Sequence, residues 1–127
     1  MRPRPWWINL FVRDKAAWVT FWGVIYHPKG IDPAQLPAYI AHEEIHVRQQ
    51  RATFFPWWAL KYLCSRSFRL DQEAEGFAAE LKFYRLNKVE GAVMLRHFAL
   101  ALAGSSYWHC ARTVEEAEAA IRRYWQP

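Results

Sequence analysis

The distribution of apolar side chains divides the chain into an N-terminal part that favours strands and a longer part that favours helices. Residues 6–12 and 18–26 are rich in aromatic and β-branched side chains, and the polar residues 13–15 join them. This pattern predicts two strands or a hairpin. The His-Pro-Lys-Gly sequence at residues 27–30 is typical of a turn.

The rest of the chain has helical spacing, interrupted by proline, glycine and serine. Asp32 before Pro33 is the usual order of an N-cap and a first helical residue. Thr113 and Glu116 have the spacing of a capping box at the start of the last helix. The pattern predicts helices over residues 32–52, 56–65, 71–87, 91–103 and 113–125. We therefore expect an α+β fold with a helical majority.

The most informative motif is His-Glu-Glu-Ile-His at residues 42–46, which has the HExxH spacing. Residues four apart share one face of a helix, so the imidazoles of His42 and His46 can bind one Zn²⁺. Glu43 projects about 100° around the helix from His42, so it need not be a ligand. It can instead act as a general base toward a water molecule on the metal.

The positions around this motif predict that the motif is buried. Two apolar stripes run along the helix on either side of it. The first stripe consists of Ala38, Ala41, Ile45 and Ala52, and the second of Leu36, Ile40 and Val47. Glu44, Arg48 and Arg51 fall on the remaining, solvent-like face. Because buried polar groups without partners cost free energy, a metal site is favoured over two surface histidines.

A third protein ligand should come from the acidic helix predicted over residues 71–87. Glu73 and Glu80 lie on its apolar face, whereas Asp71 and Glu75 lie on its polar face. A carboxylate on a buried face usually has a partner, so Glu73 and Glu80 are the contenders for the metal. Glu80 can alternatively form an ion pair or support a histidine. Asp71 is interpreted as the N-cap or first-turn acid, and Glu75 is a minor alternative ligand.

Gly76 follows Glu73 by about one helical turn. A residue without a side chain allows another backbone or helix to approach closely. The sequence therefore predicts a close contact at this point of the helix.

The composition raises the alternative of a membrane protein, because 53% of the residues are hydrophobic and 17% are aromatic. The longest apolar runs, at residues 54–64 and 98–104, are shorter than the about 20 residues of a spanning helix. The N-terminus has no pattern of a signal peptide. We therefore expect a soluble, cytoplasmic domain. Cys64 and Cys110 are expected to be buried free thiols rather than a disulfide.

The formal net charge is +5, and it is concentrated in the N-terminal half. The first 70 residues carry 10 Lys and Arg against 4 Asp and Glu. A solvated surface is the simpler interpretation, and weak attraction to nucleic acid or anionic lipid is the alternative. The chain has no GxGxxG, P-loop or GxSxG sequence and no nucleic-acid-binding motif. Specific nucleic-acid binding is therefore not expected.

With these residues the sequence resembles the gluzincin branch of zinc metallopeptidases, in which two HExxH histidines and a glutamate on a later helix bind zinc. Residues 73–78, Glu-Ala-Glu-Gly-Phe-Ala, look like the ExEA-aromatic-A pattern of small bacterial HExxH proteins. They are also similar to the ExxAD segment of the CAAX-prenyl peptidase type. The resemblance covers about residues 38–84. It implies that His42, His46 and Glu73 are the zinc ligands and that Glu43 is the general base.

The sequence departs from the family pattern at two positions. Gly76 stands where alanine is usual, and Phe77 stands where some relatives have aspartate. The second difference removes an acid that would support a ligand histidine from behind.

The resemblance further implies one minimal zincin-like metallopeptidase domain over residues 1–127, with a small N-terminal sheet or hairpin packed on the active-site helices. Such a domain would hydrolyse peptide or protein substrates. A strand over residues 18–26 would bind an extended peptide at a sheet edge or, equally, belong to the core. An oxyanion-stabilising group is also needed, and the sequence does not choose among its candidates. Those candidates are Tyr84, Tyr107, His97 and His109.

Two alternative functions stay open at this point. One is a non-catalytic, zinc-stabilised protein-binding module that uses the metal only to fold. The other is a peptidase or interaction protein at a membrane surface, with Trp57 and Trp58 in an interfacial patch.

Overall fold

A small sheet forms the N-terminal part of the fold. The structure, a computed structural model, describes residues 1–12, 14 and 16–126. Within them the strands are β1 (Arg2–Pro3), β2 (Val19–Phe21) and β3 (Val24–His27), in the order β1-β3-β2. β1 pairs in parallel with β3, and β2 pairs antiparallel with β3, with Thr20 opposite Ile25.

The predicted hairpin exists, but it lies entirely within residues 18–27. Trp22 and Gly23 form its two-residue turn, and both have positive φ, at 50° and 73°. Two successive positive φ angles match the twist of the flanking strands, which is why such turns close tight hairpins.

The prediction of a strand over residues 6–12 is wrong. Trp6–Leu10 form a 3₁₀ helix after Pro5. Strand β2 pairs with one edge of β3, and β1 (Arg2–Pro3) pairs with the other edge. Residues 6–12 therefore cannot pair with this central strand. Of the joining segment 13–15, residues 13 and 15 lie outside the described residues. The turn expected at residues 27–30 is confirmed, with Gly30 at a φ of 81°.

Five α-helices follow the sheet in the described part of the chain, so the predicted α+β fold with a helical majority is confirmed. They are α1 (Pro37–Ala52), α2 (Phe55–Cys64), α3 (Arg66–Tyr84), α4 (Lys88–Ala103) and α5 (Val114–Arg122). α4 begins earlier than predicted because Asn87 and Glu90 form a capping box. At α5, half of the predicted capping box is present: the Thr113 side chain accepts a hydrogen bond from the Glu116 backbone N–H, but the Glu116 side chain accepts from the Arg112 backbone N–H and not from that of Thr113.

The predicted start of the first helix needs a correction. Asp32 caps only a short 3₁₀ helix, Pro33–Gln35, and α1 begins separately at Pro37. The residue before a proline avoids the α conformation, and Leu36 accordingly has φ −128° and ψ 56°. The HExxH motif is thereby placed in the middle of α1.

The predicted role of Asp71 is also wrong, because α3 begins five residues earlier. The Ser65 side chain accepts a hydrogen bond from the Phe68 backbone N–H and caps this helix. Asp71 instead accepts a hydrogen bond from the Tyr124 hydroxyl at 2.7 Å. It therefore ties α3 to the chain after α5.

The hydrophobic core lies between α3, α4 and α5. Its large side chains are Leu70, Phe77, Leu81, Leu95, Phe98, Leu102, Ile121 and Trp125. α1 packs along the opposite side of α3, and its buried face is mostly polar. Five of the six buried residues of α1 are His42, Glu43, His46, Gln49 and Gln50. The predicted burial of the motif is confirmed, although the two apolar stripes beside it are mostly half-buried.

Two further expectations have clear outcomes. Both cysteines are free; Cys110 is buried as expected, whereas Cys64 is exposed. None of the helices in the described ranges combines the length and the apolar character needed to cross a membrane.

Candidate metal centre

Three side-chain atoms from α1 and α3 form a nearly equilateral triangle in the interior. Nε2 of His42 lies 3.1 Å from Nε2 of His46. Oε2 of Glu73 lies 3.2 Å from the first nitrogen and 3.3 Å from the second. All three residues are buried. The packing of α1 on α3 thus brings together the three residues that the sequence proposes as ligands.

The dimensions of this triangle fit a zinc ion. Ligands about 2.0–2.1 Å from a tetrahedral Zn²⁺ are separated from one another by about 3.3–3.4 Å. The three edges in this chain, 3.1–3.3 Å, are close to that spacing. Two imidazoles and one carboxylate are also a donor set that zinc accepts. His42, His46 and Glu73 can therefore hold one zinc ion with little rearrangement.

Glu80 lies behind His42 rather than in the triangle. Its Oε1 is 2.8 Å from Nδ1 of His42, although the two atoms are poorly aligned for a hydrogen bond. Of the two roles that the sequence left open for Glu80, the geometry favours support of a ligand histidine. Phe77 packs its ring edge-to-face on His42, with 4.6 Å between centroids.

Gly76 is the close contact that the sequence predicts, and the group that approaches it is the imidazole of His42. A Cβ at position 76 would lie 2.6 Å from Nε2 of His42 and 2.8 Å from two ring carbons. Contacts this short force the ring to move. The absence of a side chain at Gly76 therefore leaves room for the His42 ring to lie against α3, next to Glu73.

Replacing Gly76 by alanine should reduce zinc affinity by at least about tenfold. This is the lower end of the loss of metal affinity that follows when the groups holding a ligand in position are disturbed. The expected loss comes from displacement of the His42 ring. Helix propensity would act in the opposite direction, since alanine in a helix interior is more favourable than glycine by about 1 kcal/mol. Competition with a zinc indicator measures the affinity. Lys82→Ala, at an exposed position of the same helix, is the control. Unchanged zinc affinity in Gly76→Ala would contradict the contact.

His46 is held by a chain of polar side chains that the sequence analysis did not identify. Its Nδ1 lies 2.9 Å from Oε1 of Gln49. Nε2 of Gln49 donates to the Gln72 carbonyl at 3.1 Å and to Oε2 of Glu75 at 2.9 Å. Glu75 also forms an ion pair with Arg48, so its carboxylate serves the α1–α3 contact and not the triangle. The i+3 spacing of Gln49 from His46 is the one sequence signal for this support.

Tyr62 is a second residue that the sequence analysis missed. Its hydroxyl donates to Oε1 of Glu73 at 2.5 Å, which leaves Oε2 to face the histidines. Burial, and then the charge of Glu73, raise the pKa of Tyr62 well above its usual value. Tyr62 belongs to α2, and no spacing in the sequence relates α2 to Glu73. Trp58, on the same helix, packs near His46 with 6.2 Å between ring centroids.

Glu43 lies beside the triangle but is held by the sheet. Its carboxylate and the nitrogens of His42 and His46 all lie within 4.8 Å of one another. Oε2 of Glu43 accepts a hydrogen bond of 2.6 Å from Thr20 Oγ1 on β2. Gln50 accepts a hydrogen bond from the Gly23 backbone N–H and donates to the Thr20 carbonyl, both at 2.9 Å. The hairpin therefore orients the carboxylate that the sequence predicts as a base.

The charges of the three triangle residues compensate one another. Burial opposes a charged imidazole, but contacts with Glu73 and Glu80 outweigh it and raise the pKa of His42 to about 10. The pKa of His46 is also raised, since the charge of Glu73 outweighs the cost of burial. Burial opposes the charged carboxylate too, but the two histidines hold the pKa of Glu73 well below its usual range. A metal cation that enters this site would replace protons on the imidazoles.

Among the four proposed oxyanion groups, Tyr107 is the one most influenced by the site. Burial and the nearby charges of Glu73, Glu43 and Glu80 raise its pKa well above the usual value. Its ring packs edge-to-face on Phe77, with 5.6 Å between ring centroids. The other three, Tyr84, His97 and His109, are exposed.

Comparison with protein-family models, with curated proteins and with solved structures finds no match for this chain.

Proposed function

We propose that this chain is a zinc-dependent peptidase. The observation that carries the proposal is the triangle of His42, His46 and Glu73, whose edges suit zinc, with the Glu43 carboxylate beside it. A site that served only to fold the protein would not need a further acid beside the three triangle residues. The fold also buries this acid and orients it with a hydrogen bond from Thr20.

The chemistry follows from the positions of the side chains. When bound, zinc would supply Lewis-acid activation of water and of the scissile carbonyl. Glu43 accepts a proton from the attacking water and passes it to the leaving amine. Thr20 fixes the orientation of the Glu43 carboxylate, and Tyr62 fixes that of Glu73. Of the candidate groups we assign oxyanion stabilisation to Tyr107, because its ring packs on Phe77, which itself packs on His42.

The substrate class is a peptide or protein, and its binding along the hairpin stays a prediction. Among the described strands β2 pairs only with β3, so it is an edge strand next to Glu43. However, the Thr20 carbonyl already accepts a hydrogen bond from Gln50. An extended peptide that pairs with this edge would therefore have to use backbone groups on either side of that carbonyl.

The test is a hydrolysis assay with controlled metal content. The purified chain, loaded with one equivalent of Zn²⁺, is incubated with a mixture of unstructured peptides, and the products are identified by mass spectrometry. Cleavage should disappear after chelation and return when zinc is added. Equal cleavage by the zinc-free chain would contradict the proposal. Stable zinc binding without cleavage, together with unfolding on chelation, would instead indicate the zinc-stabilised binding module.

A further inference from the structure

An exposed apolar surface lies on the side of α2 that faces away from the metal centre. It consists of Trp22 at the hairpin turn and of Phe54, Trp57, Leu60 and Leu63 at the start of and along α2. We call these five residues the aromatic face. Trp22 is 60% exposed, Phe54 74% and Trp57 53%. Large apolar side chains so grouped commonly mark an interaction site.

The two parts of the aromatic face are joined through Phe55. The ring centroid of Phe55 lies 4.8 Å from that of Trp22 and 4.9 Å from that of Phe21. On the buried side of α2, Trp58 donates a hydrogen bond to Gln72 on α3 at 2.9 Å. The helix is therefore anchored from behind, and folding of the chain leaves its apolar outer side uncovered.

Basic residues are frequent in the segment that carries most of the aromatic face. Residues 45–70 contain no aspartate or glutamate and five Lys and Arg, of which Arg48 and Arg66 pair with Glu75 and Glu116. Nζ of Lys61 lies 5.6 Å from the Trp57 ring centroid, within the face itself. The charge of Lys61 is thus presented together with the apolar side chains.

A basic cleft adjoins the hairpin end of this face. The open cleft of about 820 Å³ includes Gly23, next to Trp22, and is lined by Arg2, Arg48 and Arg51, with Glu44 as its acid. Arg48 is paired with Glu75, whereas Arg51 is exposed at the edge beside Gly23. Cationic groups therefore border the aromatic face at the turn as well as along α2.

We propose that the aromatic face docks on an anionic lipid surface. Tryptophan, phenylalanine and leucine enter the interface between headgroups and acyl chains, and lysine or arginine beside them is attracted to anionic headgroups. A second copy of this chain is a poorer occupant, because symmetric contact would bring the same basic groups together. No described helix can cross a membrane, so the contact is peripheral. Since α2 also carries Tyr62, docking would hold the metal centre close to the lipid surface.

Co-sedimentation with vesicles tests the proposal without reference to metal or hydrolysis. The chain should bind phosphatidylcholine vesicles that contain about one third phosphatidylglycerol at least about tenfold more strongly than pure phosphatidylcholine vesicles, since each basic group near the surface contributes about fivefold. Binding should weaken as salt is added. No binding at low salt, or equal binding to both vesicles, would overturn the proposal.

Variants locate the binding surface. The double substitution Phe54→Ser and Trp57→Ser should reduce binding about tenfold or more, because two apolar anchors are removed. Arg51→Glu with Lys61→Glu should reduce it at least as much. The matched control is Val89→Ser with Val93→Ser, at exposed apolar positions of α4. Circular dichroism confirms that each variant is folded.

Two results would identify a different occupant or a different site. An equal loss of binding in the α4 control would show that the aromatic face is not the lipid site. A dimer in sedimentation velocity that the Phe54→Ser and Trp57→Ser variant dissociates would assign the face to a second copy. Zinc content and cleavage of soluble peptides should be unchanged in all variants, so lipid docking and peptidase activity are tested independently.

Discussion

Replacing Glu43 by glutamine should leave zinc bound and reduce peptide hydrolysis by about 10²–10⁴-fold, the usual contribution of a general base. Glutamine has almost the same shape, and its amide oxygen can still accept the Thr20 hydrogen bond. It cannot take up a proton at neutral pH. Because Glu43 is not one of the three triangle residues, metal content should remain at one equivalent.

The comparison needs both readouts on the same preparation. Metal content is measured by inductively coupled plasma mass spectrometry, and hydrolysis by the rate of product formation. Glu44→Gln, at the exposed neighbouring position, is the control and should have wild-type activity. Full activity of Glu43→Gln would exclude Glu43 as the base. Loss of zinc from this variant would show instead that Glu43 is a ligand.

Replacing Glu73 by alanine should remove zinc binding, whereas replacing Glu80 by alanine should only weaken it. Glu73 supplies the one oxygen atom of the triangle, and its loss leaves two histidines without their shared carboxylate. Glu80 contacts the far side of the His42 ring. Removing such a supporting acid typically costs about 10–100-fold in metal affinity.

Since Glu73 also accepts the Tyr62 hydrogen bond, its loss could disturb folding. Glu73→Gln keeps an acceptor for Tyr62 and serves as the second variant, with circular dichroism as the check on fold. Isothermal titration with Zn²⁺ gives the affinity of each protein. Full zinc affinity in both Glu73 variants would refute the assigned ligand. Complete loss of zinc in Glu80→Ala would place Glu80 among the ligands.

Local patterns in the sequence were sufficient for the parts of the site that lie within one helix. The i, i+4 spacing of His42 and His46 requires a shared face on any regular helix. The apolar neighbours of Glu73 placed its side chain toward the interior, and the structure confirms that it is buried. Gly76 predicted a close approach, although not which group would fill the space.

Local sequence patterns mispredict the structure where two segments compete for the same position. Residues 6–12 have the composition of a strand, but β3 has two sides and both are taken by other residues. Asp71 resembles a helix cap, but Ser65 caps the helix first and α3 extends through Asp71. In both cases the local preference exists, but other residues already fill the position: β1 and β2 pair with β3, and Ser65 caps α3.

By itself, therefore, the sequence determined the helical majority, the burial of the HExxH motif and the choice of Glu73 and Glu80 as candidate partners. Only the tertiary structure decided that Glu73 completes the triangle and that Glu80 supports His42 from behind. It also decided that Tyr62 and Thr20 orient the two key carboxylates. The physical reason is that helical periodicity fixes which side a residue faces, whereas distances between helices depend on how all the buried side chains pack together.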